Sequence, residues 1–228
     1  MKRHPALRIL CLILCVLFLL QGVSARAAER APEAVWPELS AAVKLPEAPE
    51  VASDFAILAE AKSGTVLYGK NAFDRAAPAS ITKVMTALLT AERCDLNETV
   101  LFSYRACHEL AKGSSTIART EGETMSVRDC LFALLVASAN EVAQALAEHV
   151  SGSIEAFVAL MNERAQELGC VNTHFANPHG TPDPEHYTCC YDMVLIMKAA
   201  MERDIVREAR GRPNIRSRRP TSMTRSPT

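Results

Sequence analysis

Phe55 to Glu60 and Thr65 to Tyr68 are two short, mainly apolar runs on either side of Lys62-Ser63-Gly64. Two such runs around a Gly-bearing turn predict a β-hairpin. Ala76-Ala77-Pro78-Ala79 breaks the pattern, and a helix is expected to begin near Ser80 with Met85, Leu88 and Leu89 on its apolar face. Thr99–Ser103 reads as a short strand. Ser126-Val127-Arg128-Asp129 resembles a capping box with Asp in the fourth position, opening a helix through Leu131, Leu134 and Leu135. A second helix follows Ser138-Ala139-Asn140 and runs to about His149, and a third runs from Ser153 to Leu168 with Gly169 as its stop. Residues 170–188, with three prolines and three histidines, form a loop, and Asp192–Arg203 is the last helix expected. Strands first and a helix-rich block after them indicate an α+β or mixed α/β domain.

The ends do not share this pattern. Ile9–Leu20 is an unbroken apolar run behind Lys2, Arg3 and Arg8, and Ala25-Arg26-Ala27 follows it. That is the layout of an export signal cut after Ala27, and twelve apolar residues fall short of the roughly twenty a spanning helix needs. The working chain is therefore expected to be extracytoplasmic. Residues 28–50, rich in Ala, Pro and Glu, read as a linker. From Ala209 the apolar periodicity stops, and residues 209–228 hold six arginines and no acid, the composition of a disordered basic tail. It has no aromatic residue to stack on a base, and the chain of 228 residues has a formal net charge of −1, so a nucleic-acid partner is not expected.

Export makes the cysteines worth weighing, but Cys94, Cys107, Cys130, Cys170, Cys189 and Cys190 show no framework spacing, and no essential disulfide is expected. Cys170, His174, His179, His186, Cys189 and Cys190 are donor types zinc accepts. Their spacing matches no common finger, and no metal ligand is assigned.

The chemistry lies elsewhere. Ser80-Ile81-Thr82-Lys83 puts a hydroxyl and an amine three residues apart, on one face at a helix start. Serine attacks only once a base takes its proton, and lysine is that base only when neutral, a state favoured by burial or a nearby cation. A helix start also offers N–H groups to an oxyanion. Read plainly, the pair is equally an N-capping serine and a solvated lysine. Ser138-Ala139-Asn140 interrupts an apolar run, so it either caps a helix or presents a second hydroxyl and an amide to a cleft.

Together the two patterns resemble the penicillin-recognising serine enzymes: Pro78–Ala87 resembles their nucleophile motif and Ser138-Ala139-Asn140 their second motif. The closest resemblance is to the low-molecular-mass penicillin-binding proteins of the D-alanyl-D-alanine carboxypeptidase type. Gly64–Tyr68, Gly113-Ser114-Ser115, Asn172–Gly180, His186-Tyr187-Thr188 and Tyr191-Asp192-Met193 extend it over about Val51 to Glu208. The resemblance implies an incomplete β-lactamase/transpeptidase-like domain at 51–208. It implies Ser80 as nucleophile and site of the acyl-ester, Lys83 as general base, Ser138 as proton relay and Asn140 as substrate-binding amide, with no cofactor. Its partners would be peptidoglycan pentapeptide stems, with β-lactams as inhibitors; association with a membrane surface stays open. The family's third motif, Lys-Thr-Gly or Lys-Ser-Gly, has no match after Asn140, and Lys62-Ser63-Gly64 precedes the nucleophile in the hairpin turn. A C-terminally truncated chain, out of frame after Glu208, is therefore expected, and an inactive remnant or penicillin-binding module stands as the alternative. A β-lactamase fits less well, because Ala139 stands where those enzymes usually carry Asp.

Overall fold

The computed structural model describes residues 50–211. The expected export signal, the expected linker up to residue 49 and the expected basic tail from residue 212 lie outside the described residues.

The hairpin is present as strands β1 (Ala56–Ala59) and β2 (Val66–Lys70), antiparallel with a register shift at Leu58/Ala59. Its turn is closed by the Glu60 carboxylate, which accepts from the Lys62 and Ser63 amides. Lys62-Ser63-Gly64 is thus turn structure. A second two-stranded sheet pairs β3 (Thr99–Leu101) with β4 (Thr124–Ser126).

Seven α-helices complete the described chain: α1 (Lys83–Arg93), α2 (Tyr104–His108), α3 (Val127–Val136), α4 (Asn140–Ser151), α5 (Ile154–Glu167), α6 (Cys190–Met201) and α7 (Asp204–Arg210). Side chains cap several of them locally: Ser126 accepts from the Asp129 amide, Ser153 from Ala156, and at α6 the Cys189 sulfur accepts from Asp192. Gly169 takes the left-handed conformation just past α5, as its stop position requires.

Two boundaries differ from the pattern. The last helix ends at Met201, and α7 follows it and carries order past Glu208 to Arg210. Ile205, Val206 and Ala209 bury its inner face, a stripe too short to register as periodicity. The first helix does not begin as α at Ser80: Ala79–Thr82 is a turn of 3-10 helix that hands over to α1 at Lys83.

Helix α1 is the axis of the domain. Every residue from Lys83 to Thr90 is buried, and α3, α4, α5, α6 and α7 all touch α1. A helix covered on all sides should be apolar all round. Here Lys83, Thr86 and Thr90 are buried polar groups, and each needs a partner.

Candidate active site

Thr90 Oγ1 donates to the Thr86 carbonyl within the helix; the partners of Lys83 and Thr86 come from the loop at 170–188. Thr86 donates to the Pro178 carbonyl at 2.6 Å, and Lys83 Nζ donates to the His179 carbonyl at 2.8 Å. Thr82 Oγ1 lies 2.8 Å from His186 Nε2. His186 Nδ1 accepts from the Ala176 amide, so the ring proton sits on Nε2 and the imidazole donates to Thr82. Three positions, Thr82, Lys83 and Thr86, are therefore tied to a loop about a hundred residues later. Gly180 shows how close the approach is: with φ +90°, a Cβ there would stand 1.8 Å from the Ala79 carbonyl oxygen.

Against this backing the 3-10 turn sets the Ser80–Lys83 geometry. Residues three apart eclipse in a 3-10 helix, and Lys83 Nζ sits 3.2 Å from Ser80 Oγ. Ser80 is exposed while Lys83 is only 2 % exposed, so a hydroxyl at the surface rests on an amine withdrawn from water. Burial pushes the amine down to about 8, against the opposing pull of the Glu141 carboxylate. Ala79, immediately before Ser80, has φ +47°. A left-handed alanine is strained, and such strain gathers where the surroundings over-determine the backbone.

Ser138 is the second strained position, with φ +56° between α3 and α4. The reading of Ser138 as a helix cap does not hold: the N-cap of α4 is Ala139, and no side chain caps that helix. Asn140 is buried and its amide donates to the Ser115 carbonyl, which places Gly113-Ser114-Ser115 beside the second motif. Helix α4, which begins at Asn140, lies against α1, which begins at Lys83. Ser80 and Lys83 are thus joined by a hydrogen bond; Ser138 and Asn140 stand at the head of the neighbouring helix.

Sequence reasoning missed Glu141. It is 1 % exposed, its Oε1 accepts from the Ile117 amide at 2.6 Å, and its Oε2 is buried with no partner. Its place directly after Asn140 was the available signal. Thr82 and His186 were missed because their contact spans 104 residues.

The Cys/His-rich segment has separate duties. His186 holds Thr82, His179 Nδ1 accepts from Thr181, Cys170 donates to the Asp192 carbonyl and Cys189 caps α6. Among the described residues all six cysteines are free, and no helix is long and apolar enough to cross a membrane.

A family profile described as D-alanyl-D-alanine carboxypeptidase matches residues 42–217. The D-alanyl-D-alanine carboxypeptidase DacF of Bacillus subtilis is 39% identical over 158 residues, which are 68% of this chain and 41% of that protein. The D-alanyl-D-alanine carboxypeptidase DacC of Escherichia coli is 35% identical over 171 residues, 72% of this chain and 43% of that protein. The crystal structure of the D-alanyl-D-alanine carboxypeptidase DacD from Francisella tularensis superposes with a TM-score of 0.66 at 32% identity, covering 73% of this chain and 41% of that one. Penicillin binding protein 5 from Haemophilus influenzae does so with a TM-score of 0.66 at 30% identity, over 69% and 47%. The chain spans about two fifths of the length of these two curated relatives.

Proposed function

The chain belongs to the D-alanyl-D-alanine carboxypeptidase family and has its β-lactamase/transpeptidase-like fold, and on that premise we propose that Ser80 is acylated by the D-alanyl-D-alanine ends of peptidoglycan stems and by β-lactams in their place. One observation carries the reading: a buried lysine, held to about 8, is hydrogen-bonded to an exposed serine three residues before it. At that value roughly one lysine in ten is neutral at pH 7. The His179 carbonyl fixes Nζ beside the hydroxyl it must deprotonate.

The steps follow. Ser80 Oγ attacks the penultimate carbonyl carbon as its proton passes to Lys83 Nζ. The tetrahedral adduct breaks its C–N bond, D-alanine leaves with a proton relayed through Ser138, and an ester on Ser80 remains. Asn140 holds the amide of the stem. Water then cleaves the ester, with Lys83 as base. The chemistry uses side chains alone, outside the cytoplasm, to which the export pattern of residues 1–27 directs the chain.

Acylation and turnover are separate steps, and a chain that is acylated but releases no D-alanine would act as a penicillin-binding module, the second reading. Fluorescent penicillin labelling tests the acylation step, and D-alanine release from a diacetyl-Lys-D-Ala-D-Ala peptide tests turnover. Labelling is expected and should vanish in Ser80→Ala. A label on another serine rejects the assignment; labelling without release selects the second reading.

A further inference from the structure

Cys94, Glu98 and His149 take no part in the chemistry above. They lie at the other end of α1 from Lys83, some eleven residues or about 16 Å along the helix. The Cys94 sulfur, a Glu98 carboxylate oxygen and a His149 ring nitrogen all lie within 4.8 Å of one another.

The three are brought together by fixed backbone. Cys94 caps the C-terminus of α1, its amide donating to the Thr90 carbonyl. The turn behind it is stapled twice, by Glu98 N to Asp95 O and by Asn97 N to the Asp95 carboxylate. It is pinned from outside by the amides of Val127 and Arg128, which donate to the Glu98 and Leu96 carbonyls. His149 comes from the last turn of α4. Glu98 uses its two oxygens differently: Oε1 accepts from the Asp95 amide at 2.6 Å, and Oε2 lies 2.9 Å from His149 Nε2. A backbone N–H thus orients the carboxylate so that its other oxygen points at the imidazole, the outer-shell arrangement that metal-binding carboxylates use.

A thiol, an imidazole and one carboxylate oxygen form a mixed soft and borderline donor set. It suits zinc-class ions and does not suit magnesium or calcium, which take all-oxygen shells. Ligand bonds of about 2.0–2.3 Å in a tetrahedron need donor separations somewhat under 4 Å, so the trio closes by small side-chain rotations. We propose that Cys94, Glu98 and His149 bind one thiophilic divalent cation of the zinc class, with water as the fourth ligand. The ion takes the place of the proton shared by Glu98 and His149. The Cys94 thiol, which burial and Glu98 hold up at about 11, gives its proton to solvent as the metal–sulfur bond forms. At this distance from Ser80 the ion is structural: it joins the end of α1 to the end of α4, the two helices whose beginnings carry Lys83 and Asn140.

Cobalt(II) serves as the coloured probe and zinc(II) as its competitor. The chain should take up one cobalt ion with a near-ultraviolet sulfur-to-cobalt charge-transfer band and intense tetrahedral d–d bands, both erased by zinc, and zinc should raise its melting temperature. Loss of an outer-shell partner alone costs 10–100-fold in affinity, so Cys94→Ser should lose the charge-transfer band and weaken zinc binding by at least ~100-fold. His149→Asn, at a partly buried position outside the core cluster, should keep the band while weakening zinc binding by at least ~10-fold. Cys170→Ser should change nothing. No uptake by the unaltered chain, or a band that survives Cys94→Ser, overturns the site.

Discussion

Lys83 must be nearly dry to lose its proton, yet the carboxylate acting on it through space favours the proton. Burial lowers its pKa to about 8 and Glu141 raises it. The rate of penicillin acylation should therefore rise with pH and level off above about 8. Glu141→Gln can still accept from the Ile117 amide but loses the anion. Without it the lysine gives up its proton more easily, so the midpoint of the profile should shift to lower pH. Stopped-flow acylation across pH 5–10 checks this, and a midpoint that stays put would remove Glu141 from the account. Gly180 is the second residue whose identity is dictated locally. Any side chain there collides with the Ala79 carbonyl and must also adopt φ +90°. Gly180→Ala should cost at least ~2 kcal/mol by chemical denaturation. It should also slow acylation at pH values where unfolding is negligible, because the displaced atom belongs to the peptide that precedes the nucleophile.

The loop at 170–188 is the element that makes a site out of a helix start, and a neutral histidine holds it there. His186 is 4 % exposed, and burial lowers its pKa to about 4. A second proton would have to sit on Nδ1, facing the Ala176 amide that Nδ1 now accepts from. The folded value lies below the ordinary 6.5, so this histidine's contribution is whole above pH 6.5 and is lost as pH falls towards 4. The full shift is worth on the order of 3 kcal/mol. Denaturation midpoints measured from pH 7 to pH 4 should fall, and His186→Gln should start lower and fall less steeply; His179, also held near 4, supplies the remaining slope. What could be read from sequence divides along the same line. The hairpin, the Ser126 cap, the helix start near Ser153 and the Ser80–Lys83 spacing were legible because each is settled within a few residues. The left-handed turn at Ser138 was not, since the backbone conformation there is imposed by the meeting of α3 and α4. Nor were the Thr82–His186 and Lys83–His179 contacts, whose partners are chosen by tertiary folding and leave no periodic mark.

At the scale of the molecule, α1 is held at its far end by charge. Glu92 Oε1 accepts from Arg164 of α5 at 2.9 Å and from Arg203, just after α6, at 3.1 Å, with the carboxylate side chain only 14% exposed. Glu92→Gln leaves Arg203 without its anion and Arg164 with Glu167 alone, and should destabilise the fold by about 1–3 kcal/mol, little relieved by salt, as urea titrations at low and high ionic strength would show. On the other flank, β1 and α6 border an apolar groove of about 470 Å³ that includes Ile57, Pro78, Ile81, Met193 and the exposed Met197. An open two-stranded edge next to such a face favours self-association. Light scattering should rise with concentration and fall in Met197→Lys. The clamp on Ser80 also has a meaning in time. A ribosome releases Ser80 and Lys83 well before Pro178, His179 and His186, so the nascent chain carries the proposed nucleophile for several seconds at ~5–20 residues per second before the loop that backs it exists. Through that interval the serine is an ordinary hydroxyl and the lysine a solvated cation. Chains stalled with residue 170 just outside the exit tunnel should ignore fluorescent penicillin, and chains stalled once α7 has emerged should react, which makes reactivity a clock for the moment the domain closes.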